Sequence, residues 1–149
     1  MTSPADELRA AAETLRALAT AASTDPQGRP TAHWDVRYRP GVLPGAPAQR
    51  DGSCALIATD SPTAVRLLHG GSIGTRGGQP SISPDHGRYA AAMDPTVGLA
   101  LADLLTAVAD NPDDPGVREG NARHVGCAPA TCPAAAALAV ARAINREQP

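Results

Sequence analysis

His124, Cys127 and Cys132 place one imidazole and two thiols within nine residues of a segment that has no helical or strand period. Neutral imidazole and thiolate are the ligands tetrahedral zinc takes, and a structural zinc supplies folding energy. The set is incomplete. It contains no Cys-x-x-Cys knuckle, and a fourth ligand would have to come from Cys54, His69 or His86. The plainer reading makes His124 a surface side chain, Cys127 a loop thiol and Cys132 a helix cap. The spacing favours that reading, so neither a metal nor a cofactor is expected.

No catalytic constellation emerges from the remaining reactive residues. Cys54 falls in a segment that reads as a strand, with His33, His69 and His86 as conceivable partners, but a buried, inert thiol is the ordinary state of such a cysteine. Asp94 precedes a proline and reads as a helix cap, while Asp113 and Asp114 fall in a turn. The glycine-rich residues 69–78, which enclose Arg76, match neither the Walker pattern nor a GxGxxG turn between strand and helix, and read as a connector. Every one of the 13 basic residues is arginine. Without lysine, a P-loop, a pyridoxal Schiff base and the strand lysine of a protein kinase are all excluded. Binding is expected rather than catalysis, a thiol enzyme built on Cys54 being the last of the alternatives, and no catalytic residue is assigned.

Nucleic acid is not the favoured partner either. Arg37 and Arg39 alternate on one strand face, with Arg50 in the following loop, yet Asp35 shares that face and weakens its field. The net charge is −2 and the aromatics are Trp34, Tyr38 and Tyr89, so there is neither a basic stripe nor a stacking platform.

The elements that position these residues are announced by five pairs of a small polar residue or cysteine with proline: Ser3-Pro4, Ser61-Pro62, Ser83-Pro84, Asp94-Pro95 and Cys132-Pro133. Each pair predicts a helix start, because the first residue can accept a free backbone N–H and proline suits a first turn that lacks a partner for that donor. A first helix is predicted over residues 4–22, with Leu8, Ala11, Leu15, Leu18 and Ala22 on its buried stripe and Arg9 paired with Glu13 outside. Asp25-Pro26 and Gly28 end it. Alternation of Trp34, Val36 and Tyr38 with Asp35, Arg37 and Arg39 predicts a strand over residues 31–39, and a second strand fits residues 53–59. Residues 63–69 are compatible with a short helix or a third strand. A short helix over residues 84–93 precedes a stronger one over residues 95–110, whose predicted buried side is Val97, Leu101, Leu104, Leu105 and Val108. The last helix, over residues 133–146, buries Leu138, Ala141 and Ile144. Loops are predicted near residues 40–52, 70–83 and 111–131.

These elements describe an α+β domain, with a small antiparallel sheet of two or three strands covered by about three helices and rich in loops. The length suits one domain over residues 1–149. Its core must be thin: 31 of the 149 residues are alanine, none is phenylalanine, and Leu, Ile and Val together number 24. Self-association would help such a domain. The opening residues carry two acids and no base, unlike a secretory signal, and the longest apolar run, residues 134–141, is too short to span a bilayer. A cytoplasmic protein with reduced thiols and no membrane association is expected.

Residues 89–105, YAAAMDPTVGLALADLL, with residues 137–145, ALAVARAIN, resemble a group of small proteins of actinobacterial phages and integrated mobile elements, particularly of Streptomyces type. The tyrosine, the Ala-rich turn, the acid-proline pair and the apolar helix are also similar, more distantly, to Ead-type early proteins of lambdoid phages. The shared positions are helix caps and core residues, so the resemblance implies an origin and assigns no functional residue. Together these readings point to a non-enzymatic accessory protein of a phage or mobile element that works by binding a protein partner or a second copy of itself. A nucleic-acid-associated protein and a small zinc-stabilised module are the alternatives.

Overall fold

The computed structural model describes residues 3–38, 54–68, 82–111, 127–128 and 131–146. Among these lie four helices, α1 (Pro4–Ala22), α2 (Pro84–Ala92), α3 (Pro95–Asp110) and α4 (Pro133–Arg146), and three strands, β1 (Trp34–Tyr38), β2 (Cys54–Ala58) and β3 (Val65–Arg66). The α+β class and the antiparallel sheet are thus observed. Of the predicted loops, residues 40–52, 70–81, 112–126 and 129–130 lie outside the described residues. The chain divides into two compact units, Met1–Thr20 with Gly98–Pro149, and Ala21–Val97.

Four of the five proline pairs open a helix. Ser3 caps α1 through a reciprocal box: its hydroxyl accepts the Asp6 N–H at 3.2 Å, and its own N–H donates to the Asp6 carboxylate at 3.4 Å. The hydroxyl also donates to that carboxylate, which holds Asp6 below the usual carboxylate range. At the start of α4, the Cys132 carbonyl accepts the Ala136 N–H at 3.0 Å. Ser61-Pro62 opens no helix, and residues 60–63 form a bend instead. The Asp60 carboxylate there accepts the Ala32 N–H at 2.7 Å, a tie to a distant residue that turn chemistry alone does not encode.

The first unit is a helical core built mainly of alanine. Its buried cluster comprises Leu8, Leu105, Leu138, Cys132 and seven alanines spread over α1, α3 and α4, with Leu15, Leu101, Val108 and Ile144 packed at its edge. Alanine stripes let helices approach closely, so few large side chains are needed inside. Two expectations are corrected as a result. On α1 the buried stripe runs through Leu8, Ala11, Ala12 and Ala19, and Leu18 is exposed, being turned about 100° away. On α3 the buried residues are Ala102, Leu105 and Ala109, whereas Val97 and Leu104 face solvent. Surface ion pairs tie α1 to the other two helices: Glu7 to Arg142 at 2.7 Å, Arg9 to Asp110 at 2.9 Å and Arg16 to Asp103 at 2.8 Å. Arg9 therefore reaches across to Asp110, and along its own helix to Asp6 rather than to Glu13. Hydrogen bonding to Arg142 holds the Glu7 carboxyl below its usual range. Each exposed pair adds little to stability.

The second unit is the sheet, ordered β1-β2-β3 and antiparallel throughout. Val36 opposes Leu56 and Tyr38 opposes Cys54, while Ile57 opposes Arg66, so residues 63–69 supply a strand and no helix. Ile82 exchanges both backbone hydrogen bonds with Cys54 at 3.0 Å, which ends the predicted 70–83 loop earlier than expected. Helix α2 lies against β1 and β2. It does so through Gly87, where a Cβ would stand 2.9 Å from both Cys54 Sγ and Val36 Cγ1. Before the sheet, Gly28 adopts the left-handed φ of +76° in the turn that Asp25 closes by accepting the Gln27 and Arg29 N–H groups. The Thr31 hydroxyl then donates to the Ala22 carbonyl at 2.6 Å, satisfying an end of α1.

Candidate functional site

The candidate groups among the described residues each fall within one of the two units. Cys132 is buried just ahead of α4 and Cys127 is half-buried at the edge of the alanine core, while His124 lies outside the described residues. Among the described residues no group of three His, Cys, Asp or Glu side chains is gathered as metal ligands would be. Cys54 is fully buried in β2, its thiol donating to the Ile82 carbonyl at 3.4 Å. Burial pushes its pKa up, so the thiol is neutral near pH 7 and shielded from any electrophile. His86 is exposed on α2 and its Nδ1 is engaged by the Ser83 hydroxyl. His69, residues 69–78 with Arg76, Arg39 and Arg50 all lie outside the described residues.

Among the described residues a polar cluster surrounds His33. Its Nδ1 stands 3.6 Å from Asp94 Oδ2 and 3.3 Å from the Thr96 hydroxyl, which in turn lies 3.3 Å from the Ala32 carbonyl. The second Asp94 oxygen accepts the Val97 N–H at 3.0 Å, the bond that caps α3. At the N–H of the same residue, Ala32, the Asp60 carboxylate accepts at 2.7 Å, and its remaining oxygen is buried with no hydrogen-bond partner among the described residues. These contacts fasten the entry to β1 against the first turn of α3. They account for Asp94 as a helix cap with a histidine neighbour. Asp94→Ala is expected to cost about 0.5–2 kcal/mol in urea unfolding, and Asp94→Asn only a fraction of that, because an amide oxygen accepts the same N–H. Equal losses in the two variants would mean that the negative charge, not the cap, holds this corner.

Arg37 is exposed on the sheet face opposite the one that meets α2, and register places Asp35 and Arg66 on that face with it. Arg37, Arg66 and Asp35 make this a face of mixed charge.

The feature that reading by periodicity missed is apolar. Along α3, Val97, Ala100, Leu104 and Ala107 recur at intervals of three and four residues and are all exposed, Leu104 at 57% and Val97 at 40%. This stripe is diametrically opposite the buried one. Tyr89 of α2 is also exposed, at 73%. The signal was present in the sequence as a second 3-4 pattern on the same helix, but Leu101, Leu105 and Val108 compete with it. No protein-family model, curated protein or solved structure matches this chain, so its surfaces must be interpreted from their own chemistry.

Proposed function

We propose that this chain is a protein-binding accessory protein of a phage or mobile element, acting in the cytoplasm and performing no chemistry of its own. The observation that carries the reading is the second apolar face of α3. A chain with so few large aliphatic residues nevertheless leaves Val97 and Leu104 in water. Contiguous exposed apolar surface of this kind marks binding sites on folded domains. The mobile-element origin rests on the resemblance of residues 89–105 and 137–145 to small proteins of actinobacterial phages. Among the described residues no single helix is long and apolar enough to cross a membrane. Asp35, on the same sheet face as Arg37, speaks against nucleic acid as the partner.

A photo-crosslinking amino acid at position 104, expressed in actinobacterial cells, tests the reading. One discrete protein adduct is expected, and Ala100→Glu on the same helix face should abolish it. Diffuse labelling, or an adduct indifferent to Ala100→Glu, would sink the proposal.

A further inference from the structure

The partner of α3 follows from the order of side-chain sizes along its exposed stripe. Val97, Ala100, Leu104 and Ala107 run large, small, large, small at the 3-4 spacing of a two-helix seam. In a parallel pair each residue would meet its own copy. Leu104 against Leu104 would set the helix separation and leave Ala100 facing Ala100 across a gap. In an antiparallel pair with its two-fold axis crossing the exposed stripe at the height of residue 102, Val97 meets Ala107 of the second copy and Ala100 meets Leu104 of the second copy. Every layer then contains one large and one small side chain, the alternation that close packing requires.

We infer that α3 is a self-complementary docking face and that its occupant is α3 of a second copy of this chain, in antiparallel orientation. The inference rests on the protein-binding reading and names the partner. Charge agrees with size. Asp103 flanks the seam next to Leu104 and is held by Arg16 at 2.8 Å, both side chains being well exposed. About the two-fold axis the two Asp103–Arg16 pairs come together with no net charge, and each carboxylate has an arginine beside it to offset the other carboxylate. The composition of the core supplies the motive, since buried alanine leaves a domain of this size short of apolar burial that a dimer restores. One helix pair buries less than the ~1,200 Å² of a stable interface, so the dimer should be reversible and dependent on concentration.

Sedimentation equilibrium of the full chain over a wide concentration range tests this. A monomer–dimer equilibrium is expected. Leu104→Glu should weaken it by about 30-fold or more, as loss of a central anchor does, with the circular dichroism unchanged because the side chain is already in water. Ala100→Glu should act likewise, and it decides the matter if Leu104→Glu disturbs the fold. Orientation is read by mixing chains carrying Ala100→Cys with chains carrying Leu104→Cys under mild oxidation. Mixed disulfides between the two variants are expected, whereas disulfides within each variant would indicate a parallel pair and overturn the orientation. A wild-type chain that sediments as a monomer throughout, or a dimer that survives both Glu variants, overturns the inference. If that monomer still forms a specific adduct with another protein at position 104, self-pairing falls and protein binding stands. If no adduct forms, both fall.

Discussion

Leu105→Ala is expected to lower the unfolding free energy by about 3–5 kcal/mol, the upper part of the range for a fully buried leucine. Leu105 has no solvent exposure and is one of three leucines in a buried cluster otherwise made of seven alanines and a cysteine. With seven of the eleven buried side chains reduced to methyl groups, few are long enough to swing into the space a leucine vacates, so much of the cavity persists and its cost is added to the lost transfer energy. Leu104→Ala, one position earlier on the same helix, should cost less than about 1 kcal/mol. Urea unfolding of the pair at low protein concentration, where any α3 dimer has dissociated, measures the contrast directly. Equal losses would mean that α3 is rotated from the orientation described.

The second large effect is expected at Gly87. A Cβ there would lie 2.9 Å from Cys54 Sγ and Val36 Cγ1 and 3.1 Å from Ile82 Cγ2. None of these atoms is the end of a long, compliant side chain. Cys54 and Val36 are held by strand pairing and Ile82 by its bridge to Cys54. Gly87→Ala must therefore lift α2 or spread its contacts with the sheet, at about 1–3 kcal/mol, against which the better helix propensity of alanine returns up to about 1 kcal/mol. A net loss is expected, together with faster alkylation of Cys54 as its cover loosens. Cys54→Ala in the same chain should recover part of the loss by removing one of the two closest atoms. If Gly87→Ala raised the melting temperature, as it would in an open helix, α2 would not be seated on the sheet through this glycine.

The residues that start the helices were legible because a first-turn proline and the residue before it act over three or four residues, Ser3 and Asp94 with a side-chain cap and Ser83 without one. Ser3, Ser83, Asp94 and Cys132 each stand beside a proline at the head of a helix, and the ends of α1, α3 and α4 lie where periodicity and breakers put them. The strands β1 and β2 were legible for the same reason, by alternation and the turn residues around them. Ser61-Pro62 carries the same local signal and yet forms a bend, since Asp60 there is spent on the Ala32 N–H and Val65–Arg66 pair with β2. Residues 63–69 could be settled only by that pairing. The larger failure was in choosing faces. Helix α3 is apolar on two opposite sides, and alanine, which lines the side that packs, contributes so little hydrophobic contrast that the exposed Leu104 outweighed the buried Ala102 and Ala109 in any reading by periodicity. The candidate surface was hidden by the same mistake, as a stripe assigned to the core cannot also be seen as a binding face. Sequence alone determined where each helix begins and that residues 34–38 and 54–58 are strands, because those energies are local. Only tertiary structure decided which side of α3 is inside, because that depends on the alanine stripes of α1 and α4, distant in the chain, that allow close approach on one side and not the other.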